Sequence, residues 1–202
     1  MQNNDYLLPG VCAIFLAIIS PVYWLGMSQS VESSYVLGQD VMSLGFSDIL
    51  FACILLLTIY IYLNLKNILN EQLNFHHIDM LIWINIIVSI LWMSTLTLDI
   101  ASIVLAENFV TQNESSFSNI ALLTSVGAII ILGIIDLLIG ILLLAKSTEL
   151  PALLKVFAIM SVIQGVIGIT VVFAVTLIFI FPITLIILAM FFLRKPESLE
   201  IV

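Results

Sequence analysis

The sequence predicts an all-α integral membrane protein, a six-transmembrane-helix bundle with both termini cytoplasmic. Three observations carry this. Of 202 residues, 62% are apolar and only 9% charged, with a mean hydropathy of +1.28. A soluble domain carries about 25% charged residues, so the solvent for most of this surface is lipid. Second, the apolar residues fall into stretches of membrane-spanning length separated by polar ones. Third, six helices leave all five basic residues, Lys66, Lys146, Lys155, Arg194 and Lys195, on one side. The opposite loops hold Glu32, Asp40, Glu107 and Glu114 and no basic residue. The positive-inside rule makes the basic side cytoplasmic. The chain reads as a single transmembrane domain over residues 1–202, with helices at 7–27, 46–65, 78–105, 119–145, 151–172 and 176–193.

The first segment follows residues without Lys or Arg. A secretory signal needs a basic start and a small-residue cleavage site, so a retained helix is expected. Pro9 suits its first turn and Pro21 should bend it. Residues 28–45 are polar and predict a loop. The second segment opens with Ser47-Asp48, which predicts an N-cap, since a side-chain oxygen takes up a free backbone N–H there. The polar run 64–79 predicts that this helix overruns the membrane and turns at the interface. The third segment is long enough to tilt, with Asp99 at its far interface. Residues 106–118 are polar and predict an outer loop. Asn113-Glu114-Ser115 within it fits the glycosylation pattern, a three-residue match expected by chance. The outer acids, Asp48, Asp99, Glu107 and Glu114, predict a solvated negative rim.

From Val156 to Leu193 there is no charge. One helix of that length would reach about 57 Å at 1.5 Å per residue, against a hydrocarbon core of about 30 Å. Two helices must fold back on each other. Their turn is placed near Phe173-Ala174-Val175-Thr176, with a break nearer Pro182 as the alternative.

Searches for chemistry are mostly negative. The chain has no phosphate-binding glycine loop, nucleophile elbow or zinc-protease helix motif. Cys12 and Cys53 lie inside apolar segments and read as small packing residues. His76 and His77 are adjacent, which on a helix points them about 100° apart, and further metal ligands are not evident. Asp79 reads as a cap for the third helix. No cofactor and no metal site is expected. Trp24, Trp83 and the tyrosines 6, 23, 35, 60 and 62 read as an interfacial aromatic belt, with Trp92 nearer mid-depth.

Asp136 is the acid that no membrane edge explains. An ionised Asp at helix centre costs about 2.5 to 3.5 kcal/mol on the insertion scale, so it must face protein or water. Counting outward from the polar turn 146–151 puts Ser161 at its depth on the next segment, with Gln164 one turn further. Gly133 and Gly140 flank Asp136, and Ser161, Gly165 and Gly168 form a small-residue face opposite. Asn85 on the third segment is a further candidate. Asp136, Gln164, Ser161 and Asn85 are therefore the candidate polar site.

Two roles fit it. Asp136 is either a protonatable group on an ion or solute path, or a hydrogen-bonded acid that glues the bundle. The function expected from the sequence is a non-enzymatic membrane subunit or helix-packing, oligomeric protein. The alternative is a small transporter or channel with Asp136 as its intramembrane site. An intramembrane enzyme ranks last, because no nucleophile–base pair converges. The expected partners are the lipid bilayer and other membrane proteins or further copies of the chain. The net charge of −8 argues against nucleic acid. The expected location is a prokaryotic inner membrane.

Overall fold

The computed structural model describes residues 6–31, 44–105, 107–146, 150–170 and 173–194. Glu32, Tyr35, Asp40, Lys195 and residues 147–149 of the 146–151 turn lie outside the described residues. The described residues are helical, without strands. The helices are α1 (Leu7–Val31), α2 (Phe46–Leu73), α3 (Asp79–Met93), α4 (Leu96–Val104), α5 (Glu107–Ala145), α6 (Ala152–Thr170) and α7 (Leu177–Leu193), with a 3-10 turn at Ala174–Thr176 before α7.

Five stretches are long and apolar enough to cross a membrane: Leu7–Gly26, Phe46–Leu73, Asp79–Ala101, Ser115–Ala145 and Ala152–Thr170. The apolar α7 is shorter, at 17 residues. The outside of the bundle is apolar: Phe15, Ile18, Leu56, Ile87, Ile134, Ile163 and Phe179 are all exposed. The inside holds the buried polar residues Ser20, Asn85, Ser89, Asp136, Ser161 and Gln164. Apolar outside and polar inside is the arrangement lipid selects.

The helices form a ring in chain order. α1 packs on α2, α2 on α3, α3 on α5, α5 on α6, α6 on α7, and α7 closes on α1. Tyr6 stacks on Phe192 at 6.4 Å, and its hydroxyl donates to Glu71 at 2.8 Å. The start of α1 and the ends of α2 and α7 therefore share one end of the ring. Leu65, Leu69, Ile78, Ile82, Ile139, Leu143 and Leu154 fill that end and are almost fully buried.

Four boundaries differ from expectation, each for a physical reason. α5 starts at Glu107, so residues 107–118 are helix and not loop. That stretch has no Gly or Pro to break a helix already running. Its polar side chains bond back within the helix: Thr111 to the Asn108 carbonyl at 3.1 Å and Asn113 to the Phe109 carbonyl at 2.9 Å. Polarity there marks departure from lipid, not loss of helix. Likewise α1 runs to Val31 through Pro21, and α2 runs to Leu73, ending on Asn74 in the left-handed region.

The third segment breaks at Ser94–Thr95. There the Ser94, Thr95 and Thr97 hydroxyls donate to carbonyls three residues back, at 2.6 to 2.7 Å. The backbone follows with tight bonds such as Thr95 N–H to the Trp92 carbonyl at 3.1 Å. Asp99, beyond the break, is 7% exposed rather than solvated on a rim.

Cap identities also change. Gly45 is the N-cap of α2, and Asp48 reaches back to accept its N–H at 2.7 Å. Ile78, not Asp79, occupies the N-cap of α3. The turn at Phe173–Thr176 is where expected, with Thr176 N–H on the Phe173 carbonyl at 2.8 Å. Pro182 lies inside α7.

Candidate functional site

The site is built on the closest helix pair, α5 and α6. A Cβ added to Gly165 would lie 2.5 Å from the Leu137 nitrogen and 2.6 Å from the Gly133 carbonyl oxygen. One added to Gly140 would lie 2.6 Å from the Ala158 carbonyl oxygen. Glycine alone permits this approach, so the two backbones touch. The contact brings Gln164 of α6 to Asp136 of α5.

Asp136 is 6% exposed and accepts two hydrogen bonds. Gln164 Nε2 donates to Oδ2 at 2.5 Å. The Tyr62 hydroxyl of α2 donates to Oδ1 at 2.9 Å. A carboxylate offers about four lone-pair sites, so Asp136 retains acceptor capacity. Ser161 is buried but is not joined to Asp136 by a hydrogen bond. Of the two residues expected near Asp136 on this helix, Gln164 makes the hydrogen bond, the glycine contacts setting the α5–α6 register.

Asp136, Tyr62 and Gln164 lie at one end of a cavity of about 480 Å³, partly open to the exterior. Every helix of the ring contributes to it: Ser20 and Trp24 from α1, Phe51 to Tyr62 from α2, and Asn85, Ser89 and Trp92 from α3. α5, α6 and α7 add Gly133, Gly168 and Phe181 among others. From Tyr62 to Phe51 it runs about 16 Å along α2, at 1.5 Å per residue. It leads away from the packed end toward the aromatic cluster of Trp24, Phe51 and Trp92. There Trp24 and Trp92 lie 6.2 Å apart and Phe51 meets Trp92 edge-on at 5.5 Å. Trp92 also donates to Ser125 at 3.1 Å.

Asn85 lines this cavity. Three participants are additions to the sequence reading. Tyr62, near the end of an apolar span, fits the aromatic belt in sequence, but it donates to Asp136. Trp24 and Trp92 line the cavity. Trp83 is exposed under the Lys66 ammonium, 5.4 Å from its ring centroid, as a belt residue would be.

His76 and His77 are exposed, and His76 lies 3.5 Å from Asp79. Asn70 also donates to Asp79 at 2.9 Å. That cluster pins the α2–α3 turn.

No protein-family model, curated protein or solved structure matches the chain.

Proposed function

We propose that the protein is a small membrane carrier in which Asp136 is the ligand-binding and proton-exchanging group. The observation that carries this is the axial cavity with Asp136 at its inner end. A bundle glued by a buried acid has no need of a cavity reaching that acid. Here the carboxylate keeps lone pairs on a cavity of a size typical for small-molecule sites, about 300 to 1,000 Å³. The packed layer of Leu65, Leu69, Ile82, Ile139 and Leu143 beyond it favours a carrier over a continuous pore. The glycine faces that suggested an assembly role are engaged within the chain, between α5 and α6.

This reading includes six spans with both termini on the cytoplasmic side. α7 reaches about 25 Å at 1.5 Å per residue, a few ångströms short of the hydrocarbon core. Local thinning and a snorkelling Arg194 accommodate such a mismatch. Ring closure between α6 and α1 supports α7 as a span, and the basic residues support the orientation.

Sided cysteine labelling tests it, with Cys12 and Cys53 first replaced by alanine. Ser89→Cys in the cavity should react with a water-soluble thiol reagent from the outer side of membrane vesicles. Leu143→Cys in the packed end should react from neither side. A Ser89→Cys variant unreactive from both sides would refute the carrier.

A further inference from the structure

We infer that the cavity takes an elongated amphiphilic monocation, a protonated amine on an apolar, aryl-bearing body. This rests on the ligand-binding reading above and adds the chemical class. Four polar atoms of cavity-lining residues are buried without a hydrogen-bond partner: Ser20 Oγ, Asn85 Oδ1, Ser89 Oγ and Gln164 Oε1. Their residues are 1%, 3%, 0% and 7% exposed. Native structures pair nearly all such atoms, so each marks where a further partner belongs. Two of the four are carbonyl oxygens, which only accept, and the serine hydroxyls can accept. Asp136 adds a carboxylate with spare lone pairs. A ligand donor can therefore be met at every one of these positions, whereas a ligand acceptor can be met only at the two hydroxyls.

Charge agrees with donor count. None of the cavity-lining residues is Lys, Arg or His, so Asp136 when ionised lacks a cationic neighbour among them. A buried carboxylate in low dielectric is costly until a cation or a proton neutralises it. An anion is excluded by the same field. Apart from Thr58 and Tyr62, the rest of the wall is apolar, and Phe51, packed with Trp92, lies about 16 Å of helix away from Tyr62. That length separates a charged head at Asp136 from an aryl body among the aromatics, where ring–ring packing is available. A hydrated inorganic cation would leave this apolar surface unused.

Three probes of matched length decide the class: 4-phenylbutylammonium, 4-phenylbutanol and 4-phenylbutyrate. Binding is read from the fluorescence of Trp24 and Trp92 in purified protein carrying Trp83→Phe. The ammonium should bind roughly tenfold or more tighter than the alcohol, and the carboxylate should not bind. Asp136→Asn should remove the preference for the ammonium while alcohol binding remains, and Asp136→Glu should retain it. Equal binding of ammonium and alcohol, or tighter binding of the carboxylate, would overturn the cation assignment. The carrier reading would stand in that case, since its own test is access to Ser89→Cys. A preference for the ammonium that survives Asp136→Asn would also overturn the assignment.

Discussion

Gln164 and Asp136, 28 residues apart in sequence, are joined side chain to side chain in the interior of the helix ring. The same carboxylate accepts from Tyr62, so α2, α5 and α6 meet at one buried acid. Two donors satisfy part of the carboxylate, and the cavity holds the remainder of its capacity.

Replacing Asp136 separates its packing role from its charge. Asp136→Asn preserves size, and its amide can pair with the Gln164 amide and the Tyr62 hydroxyl after reorienting them, so it should stay folded with a nearly unchanged midpoint in thermal unfolding followed by circular dichroism. Asp136→Leu removes both hydrogen bonds. At about 0.6 kcal/mol each in membrane proteins, it should cost about 1 kcal/mol plus any misfit.

The donors to Asp136 should act as one unit. Tyr62→Phe and Gln164→Leu each remove one hydrogen bond. In denaturant or thermal unfolding the double substitution should depart from the sum of the singles by about 0.5 kcal/mol or more, because both act on one carboxylate.

The α5–α6 approach requires glycine at 165. Gly165→Ala puts a methyl 2.5 Å from the Leu137 nitrogen, so the helices must separate. A loss of about 1 to 3 kcal/mol is expected, as for other overpacked sites. Gly127→Ala, with nothing within 4 Å of its added Cβ, is the control and should be neutral. Size-exclusion chromatography and thermal melts of the two variants check this.

The polar extension of α5 should be helical in the protein. Spin labels placed one at a time along residues 108–117 should show mobility repeating every 3.6 residues. Uniformly high mobility would return this stretch to a loop.

Much of the fold was legible because lipid imposes strict rules. Spanning length and the need for a turn within the uncharged run Val156–Leu193 follow from the cost of polar groups in hydrocarbon. Asp136 stood out for the same reason, and Gln164 followed from counting back from the hairpin turn. Equal counting brings both Ser161 and Gln164 to the depth of Asp136 and cannot choose between them; Gln164 makes the hydrogen bond. The direct contact of Gly165 with Gly133 and Leu137 sets the register. Tyr62 was not legible as a site residue because a tyrosine near the end of an apolar span fits an interfacial belt equally well. The cavity was not legible at all. It depends on six helices meeting at one depth, and no single segment carries a pattern for that.

The most direct test of the account is modification of Asp136 itself by dicyclohexylcarbodiimide, a reagent that captures protonated carboxyl groups in apolar surroundings. Mass spectrometry of the labelled protein should find the adduct on Asp136, and 4-phenylbutylammonium should suppress it by occupying the same carboxylate. An Asp136 that stays unmodified while other acids react, or one whose modification is indifferent to the amine, would contradict the account.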